Sequence, residues 1–390
     1  MKKDIDIVDP IHHFVRINET EQQLVDHPIF QRLRRIKQLS LAYLVYPGAQ
    51  HTRFEHSLGV MHIARQAGEH LLENEIIDKS SLDDLSVSAL LHDIGHGPFS
   101  HTFEHIKNVP SHESMTEEII LKTEIGDILE KYSFNKKQIA KFSTGHSTKN
   151  KFLNEIISGF MSADTMDYLL RDGHYTGAEH ARVNYTRIIR SLGVYNDKLV
   201  LDSSALHSLE SIMNSRYQMF QAVYFHKTIR AAEVMLLHII QITNKYLHLS
   251  NLSLDEYLKL DDITLFSQLL TLNKSKSLKP ARDMIDAFTN RKLLKLIHES
   301  HKISDKYKAQ KHFAKKFNIP ENEIFIDSVS TSSISLSPLK SEYVTLFTKR
   351  GLEQKLDKVK VFSLLPESSS KSINILRVYT TAHHRQKLKL

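Results

Sequence analysis

The sequence predicts a mainly α fold, a multi-helix core followed by a smaller mixed α/β lobe, and three observations carry that expectation. Only 12 Gly and 9 Pro interrupt 390 residues, too few for a chain built of many tight turns. Apolar residues recur at helical spacing through most of the first 250 positions. Alternation of β-branched residues is confined to later positions, which divides the chain into a helical core over residues 1–250 and a basic lobe over residues 251–390.

Each element follows from its own pattern. Gln22–Gln38 places Val25, Ile29, Leu33 and Ile36 on one face, with arginines opposite. Leu58–Ile77 and Leu82–Leu91 come next; Ser80 and Ser81 can cap the second, and Gly95-His96-Gly97-Pro98 ends it. Ile156–Asp172, Ser204–Tyr224 and His226–Tyr246 complete the predicted core helices. Beyond residue 250, Leu265–Leu272 and Ala281–Ile297 read as helices, and Ile324–Ser330, Glu342–Thr348 and Ile373–Thr380 as strands. Ser328–Ser337 and Glu367–Ser372 are serine-rich and expected to be loops.

Composition narrows the chemistry. With no cysteine, a disulfide framework and a thiolate metal site are both excluded, so any metal must be held by His, Asp or Glu. The start, Met1-Lys2-Lys3-Asp4-Ile5-Asp6, lacks the apolar stretch of a signal peptide, and no run approaches the roughly 18 apolar residues of a membrane span. A cytoplasmic protein without membrane contact is the expectation. Residues 251–390 hold 25 Lys and Arg against 15 Asp and Glu, whereas residues 1–250 hold 27 against 30. Such a basic region can serve nucleic acid or polyphosphates, but a solvated basic face is the favoured reading.

Histidine is concentrated where the chemistry is expected: nine of 24 lie between His51 and His112. His51, His62, His70 and His105 read as ordinary surface or core imidazoles. His92-Asp93 closes an apolar run just before a Gly/Pro break, and an imidazole beside a carboxylate suits a divalent first-row metal. Asp164, Tyr168 and Asp172 recur every four residues, so one helical face offers two carboxylates and a phenol. Inward-facing carboxylates need a cation; a metal, or a salt-bridge ladder with Arg171 and Arg182, would supply one. The residues thus point to a metal-activated water facing a phosphate.

His56, His92-Asp93 and Asp164 occur in the order of the H…HD…D signature, and the chain resembles the HD-domain metal-dependent phosphohydrolases. Longer stretches, Pro28–Leu39, Tyr46–Ala49, Arg53–Val60 and His92–His101, resemble the deoxynucleoside triphosphate triphosphohydrolase (dNTPase) branch. That branch includes the catalytic HD domain of the vertebrate SAM-and-HD-domain dNTPase and its bacterial relatives. The resemblance covers roughly residues 5–300.

It implies that His56, His92, Asp93 and Asp164 bind a divalent metal (Fe, Mn, Ni, Zn or Mg), with a second Mg at the phosphates an option. His96, His101 and His112 would face the triphosphate, with His101 as acid and Glu104 orienting it. Arg53 and Arg216 would hold phosphate oxygens, Gln38 and Asp172 the sugar hydroxyl, and Tyr168 and Tyr224 would wall the sugar. The implied reaction turns a dNTP and water into a deoxynucleoside and inorganic triphosphate.

Two departures stand out. Thr165 occupies the position of a phosphate-binding Lys in the vertebrate enzyme, and Phe220 and Phe225 replace polar residues. Asp26, Gln31 and Arg34 match the family's guanine-nucleotide activator pocket, and Arg291 and Lys295 its phosphate-gripping residues at a subunit junction. A GTP- or dNTP-regulated homo-oligomer, dimer or tetramer, is therefore implied; without the family, Gln31–Lys37 reads as an amphipathic basic helix. Two rivals remain open: the same metal site acting on another nucleotide or on nucleic acid ends, and a non-catalytic nucleotide-sensing or nucleic-acid-binding protein.

Overall fold

Helix boundaries in the computed structural model, which describes residues 4–147, 149–272, 279–302, 304–332, 343–350, 353–360, 364 and 372–388, follow capping residues more closely than apolar periodicity. The segment expected as one helix over Gln22–Gln38 is Glu19–Asp26, then Pro28–Gln31, then a 3-10 turn at Arg32–Arg35. Pro28 explains the break, because it has no N–H to continue a helix and suits the first turn of a new one. Arg53–Glu73 starts five residues before Leu58, where Glu55 accepts the Thr52 N–H at 2.5 Å in a capping box. Arg53 and His56 consequently sit on its first turn.

Lys79–Leu91 is capped by Asp78, whose carboxylate accepts the Ser81 N–H at 2.8 Å, rather than by Ser80-Ser81. His92 is its last cap, as the Gly/Pro break implied. The expected Ile156–Asp172 helix is interrupted after Asn154–Ser158 and resumes as Ala163–Thr176, because the Ser162 hydroxyl accepts the Thr165 N–H at 3.1 Å and opens a new helix. Ser204–Tyr224 resolves into a 3-10 turn, the helix Leu206–Met219 and a π-turn at Phe220–Tyr224. Lys227–Leu247 is a continuous helix capped by His226.

The expected helices after residue 250 are Asp262–Thr271 and Lys279–Thr289. The second ends early: Arg291 takes a left-handed φ of 55°, and Lys295–Ser300 becomes a strand because Ser372–Thr380 offers it a ladder. Ser372–Thr380 is the middle strand of a three-stranded antiparallel sheet with Phe325–Ser332 on its other side. A second sheet joins the hairpin Leu192–Tyr195/Lys198–Asp202 to Tyr343–Arg350 and Glu353–Lys360. A third sheet is a second hairpin, Ile5–Asp9/His13–Ile17, near the start of the chain. These two hairpins, Glu353–Lys360 and the helices His112–Lys122, Glu124–Lys131, Lys136–Ser143 and Lys306–Phe317 were not named in the sequence reading. Of the serine-rich segments, Ser328–Ser332 ends a strand, while residues 333–337 and 367–371 lie outside the described residues.

The largest apolar cluster packs Arg53–Glu73 against Lys79–Leu91, Ala163–Thr176 and Leu206–Met219. Another gathers on Lys227–Leu247 and crosses residue 250 to reach Leu265, Ile285, Leu294 and Tyr379. The helices that carry the candidate ligands are thus fixed by buried apolar contacts. Among the described residues, no helix is long and apolar enough to cross a membrane.

Candidate active site

Three helix ends bring the predicted ligands together. His56 comes from the first turn of Arg53–Glu73, His92 and Asp93 from the end of Lys79–Leu91, and Asp164 from the first turn of Ala163–Thr176. Donor atoms of His56, His92 and Asp93 all lie within 4.8 Å of one another. His56 Nε2 is 3.1 Å from Asp164 Oδ1 and 3.8 Å from Asp93 Oδ2.

Each imidazole is held so that one nitrogen is left for this cluster. His92 Nδ1 donates to the Ala89 carbonyl at 2.8 Å, and His56 Nδ1 donates to Asp167 Oδ2 at 2.8 Å. Nε2 of both rings is buried and without an aligned hydrogen-bond partner. A buried imidazole lone pair without a partner is costly, and two of them beside ionised carboxylates fit a divalent cation by donor type and number. Burial disfavours a charged His56, yet the Asp164 and Asp167 carboxylates raise its pKa to about 10. Asp93, despite burial that acts the other way, is held well below the usual carboxylate range by Arg53, His92 and His96. Positive charge at this point is therefore strongly favoured.

Arg53 ties the cluster to the next loop: Nη1 donates to Asp93 and Nε donates to Ser100 Oγ at 2.9 Å. Arg32, on the segment expected to show a basic face, is instead buried and donates twice to the His96 carbonyl, at 2.7 and 2.8 Å. In that loop Phe99 and Ser100 both adopt left-handed backbone angles, φ 55° and 52°. Asp262 accepts the Phe99 N–H at 2.6 Å and the Lys37 N–H at 2.9 Å, and burial lifts its pKa to about 6.

Beyond the turn stand the other predicted histidines. His96 stacks on His112 with centroids 4.0 Å apart, and His101 meets both rings edge-on at 5.4 and 5.7 Å. Glu104 accepts from His101 Nδ1 at 3.1 Å and from His112 Nδ1 at 2.6 Å. Burial and the charge of Arg53 keep His96 neutral; His112 is raised because Glu104 outweighs its burial. The His101 side chain is 69% exposed, open to an incoming ligand.

A second group lies along the Ala163–Thr176 helix. Asp172 is buried between His51 Nε2 at 2.7 Å and the Tyr224 hydroxyl at 2.8 Å, and Tyr168 meets Tyr224 edge-on with centroids 6.2 Å apart. Arg216 is only 2% exposed, and its Nε and Nη1 have no partner among the described residues. Its charge acts on both Tyr168 and Tyr224, which burial otherwise pushes upward. Gln38 Oε1 is likewise buried and unpartnered. Thr165 is buried, bonded to Ser162 at 3.1 Å.

The proposed activator residues lie elsewhere. Gln31 bridges the Val25 carbonyl at 2.7 Å and Arg34 Nε at 2.8 Å, Arg34 covers the Phe54 ring at 3.5 Å, and Asp26 is exposed beside them. Arg291 and Lys295 line a cleft of about 240 Å³ with Lys227, Arg385 and Tyr379.

Behind the candidate ligands, sequence reasoning missed Asp167, His12, Asp9 and Asp262, and it named Arg171 only as a salt-bridge alternative to the metal and His51 only as an ordinary imidazole. Asp167 and Arg171 were visible as an i, i+4 pair of opposite charge, but on a helix already assigned a different functional face. His51, read as an ordinary imidazole, grips Asp172. His12 had no local signal, since its partner Asp167 is 155 positions away.

A helical core that brings two histidines and two aspartates together from three helix ends is an HD-type arrangement, and His56, His92 and Asp93 in it could hold a metal. The HD domain family matches residues 53–171 and the HD associated region matches residues 183–389, so the chain belongs to the HD-domain family. The crystal structure of a hypothetical protein from Aquifex aeolicus is similar over 99% of this chain and 100% of that one, with TM-score 0.80 and 32% identity. A phosphohydrolase from Bacteroides thetaiotaomicron is similar with TM-score 0.80 and 25% identity, over 97% of this chain and 100% of that one. An uncharacterized Bacillus subtilis protein, YwfO, is 38% identical over 65% of this chain and 63% of its own length. The human deoxynucleoside triphosphate triphosphohydrolase SAMHD1 is 28% identical over 75% of this chain and 55% of its own. The chain thus spans less than two thirds of these two curated relatives.

Proposed function

We propose that this protein is a metal-dependent phosphohydrolase that converts a dNTP and water into a deoxynucleoside and inorganic triphosphate. The observation that carries the reading is Arg216, a buried guanidinium on Leu206–Met219 with no carboxylate partner among the described residues, set near Tyr224 and near Tyr168 of the helix face that also bears Asp164. An unpaired buried cation is expensive unless a ligand completes it, and a planar guanidinium matches phosphate oxygens.

His56, His92, Asp93 and Asp164 would hold the metal. When bound, a divalent metal there supplies Lewis acidity and lowers the pKa of water. Arg53 and Arg216 bind phosphate oxygens, and Gln38 and Asp172 the sugar 3′-hydroxyl. Tyr168 and Tyr224 close the sugar pocket against a 2′-hydroxyl. His101, exposed and oriented by Glu104, delivers a proton to the departing 5′ oxygen, with His96 and His112 packed beneath it. Asp26, Gln31 and Arg34, with Arg291 and Lys295, form the regulatory nucleotide contacts of a homo-oligomer.

Thr165 favours a second reading, the same centre acting on a shorter phosphoester, because a buried neutral hydroxyl replaces a cation at the phosphate side. Incubating metal-loaded protein with each dNTP, alone and in mixtures with GTP, separates the two. Release of intact triphosphate supports the first reading; release of orthophosphate or pyrophosphate, or hydrolysis confined to monophosphates or oligonucleotide ends, overturns it. Rates indifferent to GTP and to every added dNTP remove the regulatory part.

A further inference from the structure

We propose that the turn of the N-terminal hairpin is a working part of the metal centre, with His12 and Asp9 acting as positioning residues for the ligand His56. The inference rests on the reading of His56 as a metal ligand. It concerns what holds that ligand in place, part of which, Asp9 and His12, lies outside the HD-domain segment at residues 53–171.

The connection runs through Asp167. Its Oδ1 accepts from His12 Nε2 at 2.7 Å and from Arg171 Nη2 at 2.9 Å; its Oδ2 accepts from His56 Nδ1 at 2.8 Å and from Arg171 Nε at 2.9 Å. Arg171 Nη1 in turn donates to Asp9 Oδ2 at 2.9 Å. Asp9 Oδ1 accepts the backbone N–H groups of Ile11 and His12, each at 2.8 Å, so the carboxylate that anchors Arg171 also shapes the turn presenting His12. The side chains of His12, Asp167 and Arg171 are all fully buried. Gly59 is required for this arrangement, because a Cβ there would lie 1.9 Å from Asp167 Oδ1.

A carboxylate with four donors in fixed directions cannot rotate, and it dictates both the tautomer and the ring plane of His56. Nε2 is thereby left aimed at Asp93 and Asp164. Partners behind a ligating imidazole of this kind change metal affinity by roughly 10- to 100-fold when lost. Residues 5–17 of the hairpin therefore set the affinity of a site whose ligands all come from later positions.

The test compares wild type with His12→Leu, His12→Gln and Gly59→Ala, and with Arg16→Ala as a control at an exposed ion pair on the same hairpin. Mn²⁺ and Co²⁺ affinities are titrated directly, the visible spectrum of bound Co²⁺ is recorded, and metal-free thermal melting monitors the fold. The expected result is a roughly 10-fold or greater loss of affinity and an altered Co²⁺ spectrum in His12→Leu and Gly59→Ala. His12→Gln, which restores a donor to Asp167, recovers much of the affinity, and Arg16→Ala matches wild type. Wild-type affinity and spectrum in His12→Leu overturn the proposal. So does a loss shared by His12→Leu and His12→Gln that follows melting temperature alone, for then the turn only stabilises the fold. Should His12→Leu not fold, the spectrum and affinity of Gly59→Ala and His12→Gln decide by the same criteria. These readouts need no nucleotide, so a protein that fails to hydrolyse dNTPs still tests the positioning role.

Discussion

His56 looks onto two very different environments. On its Nδ1 side lies Asp167, whose oxygens receive four hydrogen bonds and whose partner Arg171 is matched in turn by Asp9. On its Nε2 side lie atoms without an aligned hydrogen-bond partner among the described residues, Nε2 of His56 and His92; Arg216 Nε and Nη1 and Gln38 Oε1 are in the same state elsewhere in the proposed site. The rear is a closed electrostatic circuit, and the front is one waiting to be closed by a ligand. Folding free energy is invested behind the imidazole so that unsatisfied groups can be tolerated before it.

The largest effect that can break this contrast is removal of the front itself. A His92→Ala/Asp93→Ala protein should retain no metal in elemental analysis after gel filtration and show only background hydrolysis. Turnover near wild type in that protein would end the metal-centre reading.

Opposite behaviour of two buried arginines comes next. Arg171→Met leaves Asp9 and Asp167 uncompensated, and denaturant unfolding should show a loss of about 3–5 kcal/mol. Arg216→Met removes a charge that faces the Phe220 ring but no carboxylate among the described residues, so ligand-free stability should hold or rise while kcat/KM falls by about 10²-fold. Equal destabilisation by both would erase the distinction between rear and front.

A smaller effect concerns protonation. The carboxylate of Glu104 raises His112, whose burial alone would lower it. In an NMR titration His112 should carry its proton above the ordinary 6.5, and in Glu104→Gln it should fall below that value. Glu104 is itself depressed, so the pair contributes stability from the ordinary Glu value of 4.5 upward, lost as pH climbs through the raised His112 value. Smallest of all, Arg16→Ala at its exposed pair with Asp6 should leave melting unchanged.

What could be read in the sequence was decided by distance along the chain. His92-Asp93 before a Gly/Pro break and Asp164, Tyr168 and Asp172 at helical spacing are local patterns, and they locate three of the four candidate ligands and the helix face shared by Tyr168 and Asp172. The long core helices were equally legible, but His112–Lys122, Glu124–Lys131, Lys136–Ser143 and Lys306–Phe317 were not named, and helix ends were not legible: Pro28 resets one by its missing N–H, and Asp78 and Ser162 reset others through single hydrogen bonds that periodicity ignores. The supporting residues are joined across the fold, His12 to Asp167 and Asp262 to Phe99, and a pair 163 positions apart leaves no periodic trace. Arg32 misled for the same reason, since its partner is the carbonyl of His96.

The turn at Phe99-Ser100 separates possessing a motif from possessing a site. Two consecutive non-glycine residues in the left-handed region cost of order 1–3 kcal/mol each and do not hold themselves. Their restraint comes from Arg53 on one side and, on the other, from Asp262, far outside the segment that contains every candidate metal donor. The aim of His101 is consequently a property of the whole chain: a piece cut to residues 53–171 would contain the entire signature yet lack the Asp262 tether on the loop that presents His101.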